Sequence, residues 1–142
     1  MHILEPILFS RTNIRAKNRT LLAAMTNKQS LDDGRLSEDE IHWLVRRAKG
    51  DFGITTTAAA NVTETGRGWE GEMGVWGDHQ LEGLSEMATK LEDTGTISLV
   101  QLFHGGMRAP ADLNGQQPIS ASYNTEPHMN GSYAREMSEI EI

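Results

Sequence analysis

Three short apolar runs alternate with two amphipathic stretches, and the connections between them are lopsided. Long segments follow the runs, whereas the returns from the amphipathic stretches are only Gly50-Asp51 and Thr94-Gly95. Alternating strands and helices imply a parallel sheet with right-handed crossovers. Long loops after the strands and tight returns before them are the asymmetry of a (β/α)8 barrel, whose working face is built on the loops at the strands' C-terminal ends. The expected fold is therefore α/β, the N-terminal part of a (β/α)8 TIM barrel, with residues 1–142 as one portion of a single domain. A doubly wound sheet competes, but the fingerprint G-x-G-x-x-G is missing after the first strand.

The first run, Thr20–Met25, is short and continuously apolar, as a buried strand is. Thr26–Leu36 reads as a loop with a turn at Asp33-Gly34. Ser37-Glu38-Asp39-Glu40 has the form of a capping box. Ile41, Leu44, Val45 and Ala48 then mark one face of a helix that Gly50 ends as the C′ residue. Phe52–Ala58 is β-branched and reads as the second strand. The glycine-rich segment Asn61–Gly77 reads as a loop. Asp78 is the expected N-cap of a second helix, with Leu81, Leu84, Ala88 and Leu91 inward and Gly95 closing it. Thr96–Leu102 is the third strand. His104–Met137 reads as one long loop with turns at Gly105-Gly106, Asn114-Gly115 and Asn130-Gly131. A loop of that length in a compact domain is usually functional. Ser138-Glu139-Ile140-Glu141 is a second capping box with only Ile142 behind it, which reads as the front part of a larger α/β protein.

Composition narrows the classes. There is no cysteine, so disulfides, thiolate metal sites and a cysteine nucleophile are excluded. A net charge of −7 repels phosphate backbones and argues against nucleic acid. No run is long and apolar enough to span a bilayer, and the N-terminus does not read as a secretory signal, so a cytoplasmic location is expected. None of the five histidines falls in a metal-ligand spacing. Hydrophobic residues make up 37%, low for a self-contained domain of this type. A non-catalytic half-barrel that assembles with itself or with a complementing chain is the alternative reading.

Candidate site residues lie at the strand ends. Ala23, Ala24, Met25 and Thr26 offer small side chains and backbone groups to a flat ligand, with Met25 able to pack on a ring. The same residues also suit a packed barrel core. Ala58-Ala59-Ala60 repeats the pattern at the second strand. Gln101 ends the third, and its amide matches the paired donors and acceptors on the edge of a heterocycle, or else satisfies loop backbone. His104 is a candidate general acid/base, but with no carboxylate fixed near it in sequence it reads first as a hydrogen-bonding loop residue. Arg67 and Arg108 are loop cations able to meet an anionic group, and Asn18-Arg19 a structural contact at the barrel base.

In order and spacing, several stretches resemble the old yellow enzyme family of FMN-dependent NAD(P)H:flavin oxidoreductases and ene-reductases. They include Leu8-Phe9-Ser10, Lys17-Asn18-Arg19, Leu21–Thr26, Asp33-Gly34, Arg46–Gly50, Gly66-Arg67-Gly68, Gly74–Gln80, Gln101–Gly106, Pro118–Ser122 and Met137–Ile140. The resemblance implies a (β/α)8 barrel holding FMN at the strand ends, NADH or NADPH as reductant, and a small-molecule substrate such as an activated alkene. Carried over by motif, Ala23, Ala24, Met25 and Thr26 would run along the isoalloxazine, Ala59 would line it, and Gln101 would bond its pyrimidine edge. This sequence departs from the family at Ala24, where a proline is usual, and at Met107, where an arginine is usual with Arg108 displaced by one. The segment between Phe9 and Asn18 looks shortened. The family's substrate-binding histidine pair, tyrosine proton donor and phosphate loops would lie beyond residue 142, so the isolated chain is expected to be inactive.

Overall fold

The computed structural model describes residues 2–125 and 133–141. The expected Asn130-Gly131 turn lies outside the described residues.

A hairpin opens the chain. Strand β1 (Ile7–Phe9) pairs antiparallel with β2 (Ile14–Ala16), Phe9 opposite Ile14. The segment that looked shortened thus still closes a hairpin. Asn13 takes the left-handed conformation in its turn (φ 56°), which asparagine tolerates better than most residues.

The base of the fold is tied by Lys17 and Asn18. The buried Asn18 amide donates to the Asp51 carbonyl at 2.7 Å, and its oxygen accepts from the Thr20 N–H at 3.0 Å. Lys17 Nζ pairs with Asp51 Oδ1 at 2.9 Å and donates to the Thr94 carbonyl at 2.9 Å. Both tight returns are therefore fastened to the same short segment. Gly53 is required here, because a Cβ would stand 2.5 Å from the Asn18 carbonyl oxygen.

Strand β3 covers Leu21–Leu22 alone, helix α1 runs Glu38–Ala48, and β4 spans Ile54–Asn61. Strand β5 is Met73–Gly74, helix α2 Leu81–Glu92, and β6 Ile97–Phe103. All pairings of β4 are parallel: Leu22 opposite Thr55, Ala60 opposite Met73, and Ile54 to Asn61 against Ile97 to Phe103. Because β6 takes one whole edge of β4, β3 and β5 share the other. That sharing corrects two expectations. The first strand does not run to Met25, since β5 holds the upper part of the edge it would need. The second does not stop at Ala58, since β5 and β6 pair with it through Asn61.

Helix α1 forms where the sequence placed it. Ser37 Oγ accepts from the Glu40 N–H at 3.1 Å, acids fill the first turn and Arg46 and Arg47 the last. Ile41, Leu44 and Ala48 are buried. The C-terminus differs from expectation, for the left-handed residue is Asp51 (φ 74°) rather than Gly50. Glu40 differs too, since its carboxylate is buried rather than capping.

Helix α2 is preceded by a 3-10 turn, Asp78–Gln80. The buried Gln80 reaches back to accept from the Trp76 N–H at 2.9 Å and the Gly77 N–H at 3.2 Å, while α2 begins without the side-chain cap expected of Asp78. The inward stripe is Leu84, Met87 and Leu91, at spacings of three and four. Leu81 and Ala88 are exposed instead of inward, one lying at the junction with the 3-10 turn and the other flanking the stripe. Gly95 (φ 70°) ends the helix as expected.

Leu22, Leu36, Ile41, Leu44, Ala48, Ala60, Met73, Met87 and Leu91 form the core between the sheet and the two helices. Each fully buried Leu or Ile there is worth about 1.5–3 kcal/mol. The opposite face of the sheet is covered only in part. Strand alternation puts Leu21 and Leu99 on it, and both are exposed. The sheet does not close among the described residues.

The expected loop after β6 is partly structured. A 3-10 turn (Gly106–Arg108) leads to helix α3 (Ala111–Asn114), which Gly115 ends at φ 66°. Strands β7 (Ile119–Ser120), β8 (Asn124–Thr125) and β9 (Tyr133–Glu136) make a small sheet in the order β7-β9-β8. At Ser138 only half of a capping box forms, the Glu141 carboxylate accepting from the Ser138 N–H at 2.9 Å within a 3-10 turn.

Candidate functional site at the C-terminal ends of the strands

Register decides which strand-end residues share a face. Ala60 pairs with Leu102 and points into the core, so the adjacent pair, Ala59 opposite Gln101, belongs to the other face, where Ala59 is buried and Gln101 exposed. A register shift between Thr56 and Ala59 marks the approach to this pair. Thr57 Oγ1 accepts from the Gln101 N–H at 3.3 Å there. The Gln101 side chain is exposed and its amide bonds no described residue. A free amide beside a methyl-sized neighbour can take both a donor and an acceptor from a flat ligand.

Ala23–Thr26 leaves β3 beyond Leu22, on the other side of β4 from Gln101. It has no ladder partner, and Ala23, Met25 and Thr26 are exposed. The three sequence-predicted groups thus sit at the C-terminal ends of three neighbouring strand paths. Ala59 and Gln101 are brought together directly, while Ala23, Ala24, Met25 and Thr26 flank them. A flat ring system such as an isoalloxazine fits that chemistry: small side chains leave room for it, and one unpaired amide is available for its polar edge.

Three loops surround the shelf, and Arg67 joins them. Its guanidinium donates to the Asp32 carbonyl and, at 3.2 Å, to the Leu113 carbonyl. Asn114 Nδ2 donates back to the Arg67 carbonyl at 2.9 Å. Arg67 is therefore committed to backbone rather than waiting for an anion. Arg108 is exposed in the turn after β6. His104 behaves as the sequence suggested. Its Nδ1 accepts from the Gly106 N–H at 2.9 Å, and its ring fills the space where a Cβ on Gly66 would stand, 2.4 Å away.

Two buried acids escaped sequence reasoning. Glu72 Oε2 accepts from the Gly68 N–H at 2.6 Å, while Oε1 is buried with no partner among the described residues. Burial pushes its pKa up to about 7, against the lowering effect of the Gly68 and Trp69 N–H groups and the Arg67 charge. Glu72 thereby closes the turn carrying Trp69, whose ring meets Phe103 at 5.1 Å. Only its setting between Gly71 and Gly74 hinted at this. Glu40 is the other; burial raises its pKa as well, over two hydrogen bonds that lower it.

Other features lie elsewhere. A cavity of about 820 Å³ between α1 and α2 is lined by Lys17, Asp51, Lys90 and Thr94, at the opposite end from the strand tips. Among the described residues, no three His, Asp or Glu gather as metal ligands, and no helix is long and apolar enough to cross a membrane.

The architecture defines a class: part of the wall of a (β/α)8 barrel, whose working face lies at its strand ends. Residues 2–142 match the sequence model of the NADH:flavin oxidoreductase / NADH oxidase family, and the chain belongs to that family. It is 32% identical over 141 residues to the probable NADH-dependent flavin oxidoreductase YqiG of Bacillus subtilis (strain 168), covering 99% of this chain and 37% of the relative. It is 28% identical to the NADH:acrylate oxidoreductase of Vibrio harveyi, again over 99% of this chain but only 14% of that protein. Among solved structures it superposes on a 2-naphthoyl-CoA reductase complex with a TM-score of 0.90 at 28% identity, covering 98% of this chain and 23% of that one. The old yellow enzyme homologue from Zymomonas mobilis gives a TM-score of 0.88 at 26% identity, covering 99% and 41%. The chain thus spans well under half the length of the relatives it matches. FMN with NADH or NADPH, the cofactors expected from the sequence, agrees with this family.

Proposed function

We propose that this chain supplies the isoalloxazine-facing part of the FMN site of an NAD(P)H-dependent flavin oxidoreductase of the ene-reductase type. The observation that carries the reading is the register pair of buried Ala59 and exposed Gln101 on the face away from the helices, flanked by the unpaired Ala23–Thr26 stretch. In this site Gln101 bonds the pyrimidine edge of the ring. Ala23, Ala24 and Ala59 leave space for its plane, Met25 packs against it, and Thr26 offers a hydroxyl. FMN, when bound, supplies the hydride chemistry that links a reduced nicotinamide to an electron-poor alkene or similar acceptor. The contribution of these residues is to fix the ring's height and edge. The cytoplasm, where reduced nicotinamides are held, is the proposed compartment.

Leu21, Leu99 and Gln101 stay exposed on the inner face among the described residues, so the chain by itself offers one side of a site. We expect little activity from it alone. The test is FMN reconstitution of the purified protein, with any polypeptide that copurifies, followed by visible absorption. A bound flavin band that weakens in Gln101→Leu supports the reading. A folded protein that takes up no flavin, or whose flavin is indifferent to Gln101, refutes it.

The second reading is a half-barrel module without catalysis, which assembles with a copy of itself or with a complementing chain. Exposed Leu99, Val100 and Leu102 on β6 favour an assembly of some kind. Native mass measurement separates the two readings. A defined oligomer that binds no flavin favours the module, and a flavin-bearing species favours the enzyme.

A further inference from the structure

Glu40 stands in the position of a helix-capping acid and does something else. Ser37 performs its half of the box, accepting from the Glu40 N–H at 3.1 Å. The Glu40 carboxylate does not return to the Ser37 N–H. It is buried, with Oε1 accepting from Asn27 Nδ2 at 3.1 Å and Oε2 from the Ser30 hydroxyl. An exposed glutamate would cap equally well without losing its hydration, so capping does not account for the burial.

Both partners belong to one turn of chain. Asn27 Oδ1 also accepts from the Gln29 N–H at 3.3 Å, which closes the turn from within. Lys28 sits in the left-handed region at φ 54°, a conformation that a residue with a Cβ keeps only when its surroundings hold it. The Ser30 N–H donates to the Gly71 carbonyl at 3.2 Å. A Cβ on Gly71 would stand 2.7 Å from the Lys28 carbonyl oxygen, so the glycine admits the turn against the neighbouring loop.

The turn begins where Ala23–Thr26 ends. That stretch has no ladder partner. It is held below by the pairing of Leu22 with Thr55 and above by the hold of Glu40 on Asn27. Its four residues hang between two anchors, and the carboxylate is the upper one.

We propose that Glu40 is a positioning residue for the flavin ring: by fixing the Asn27–Ser30 turn it sets the path along which Ala23–Thr26 meets the isoalloxazine. The inference rests on the FMN reading above.

The experiment compares wild type, Glu40→Ala, Glu40→Gln and Ser37→Ala in the reconstituted protein. Three quantities are read: the FMN dissociation constant, the visible flavin spectrum, and amide hydrogen exchange over residues 23–30. Glu40→Ala should weaken FMN about tenfold, shift the flavin band and speed exchange over the turn. Glu40→Gln should restore all three, because its oxygen can accept from Asn27 and its NH2 can donate to Ser30 Oγ. Ser37→Ala should lower the melting temperature and leave FMN affinity within about twofold, since it frays the helix without touching the turn. If Glu40→Ala fails to fold, Ser30→Ala removes one of the two bonds and should move affinity and exchange in the same direction. Wild-type FMN affinity in Glu40→Ala, or an equal loss in Ser37→Ala, overturns the inference. A wild-type protein that takes up no FMN overturns the proposed function instead, and unchanged exchange in Glu40→Ala then overturns the anchor by itself.

Discussion

Glu72 gives the sharpest test of the electrostatics. Its carboxyl is buried and its pKa stands at about 7, against 4.5 for an unperturbed glutamate. A shift of that size is worth about 3 kcal/mol, taken as an upper figure. The sign follows from which state holds the proton. Below pH 4.5 both folded and unfolded chains are protonated at this position and it contributes nothing. Between pH 4.5 and about 7 the unfolded chain has released its proton while the folded chain keeps it, so stability falls as pH rises through that window. Above about 7 the loss is complete and constant. Glu72→Gln removes the titration and can preserve the local bonds, its Oε1 accepting from the Gly68 and Trp69 N–H groups. The variant should therefore match wild type near pH 5 and exceed it near pH 8, by up to about 3 kcal/mol. Urea unfolding followed by tryptophan fluorescence at a series of pH values measures it. Glu40, also raised by burial, adds a slope of the same sign, so the quantity to read is the difference between the two proteins. Equal slopes in wild type and variant, or a variant less stable near pH 8, would refute the reasoning.

Two further outcomes follow from packing and loop fastening. Gly53→Ala drives a Cβ to 2.5 Å from the Asn18 carbonyl oxygen and should cost about 1–3 kcal/mol in urea unfolding, with Gly83→Ala in helix α2 as the comparison because its added Cβ would meet only ordinary contact, Leu36 Cβ at 3.5 Å. Arg67→Met frees the Asp32 and Leu113 carbonyls; limited proteolysis should cut faster near both, while far-UV circular dichroism stays unchanged.

Legibility in the sequence followed the range of the forces involved. Helix α1 was readable because its cap, its charge gradient and its apolar stripe all lie within one stretch of chain. The order of elements was readable for the same reason, each strand and helix carrying its own pattern. What escaped depended on a partner distant in sequence. The extent of β3 and of β4 is set by β5, two residues inside a glycine-rich loop with no apolar pattern of their own. The turn ahead of α2 is fastened by Gln80 rather than capped by Asp78, its amide bonding the Trp76 and Gly77 N–H groups and the Asp33 carbonyl, 3.1 Å away. Arg67 looked like a free cation until two carbonyls from other loops claimed it.

The two hidden acids make the point about the site itself. A glutamate three residues after a serine reads as a cap, and one between glycines reads as solvated loop. Both are buried under the strand-end loops, where each costs hydration and fixes one turn: Asn27–Ser30 for Glu40, the Trp69 turn for Glu72. The shelf residues need no such investment, being alanines and one amide whose identities were visible from the start. Exposed side chains on an unpaired segment do not hold their own geometry, however. On the proposed reading, a ring-binding surface made of small residues takes its rigidity from the loops behind it, through carboxyl groups withdrawn from water. Such groups are recognisable only once the fold has brought the loops together, so the strand-end residues were legible as candidates and the loop bonds behind them were not.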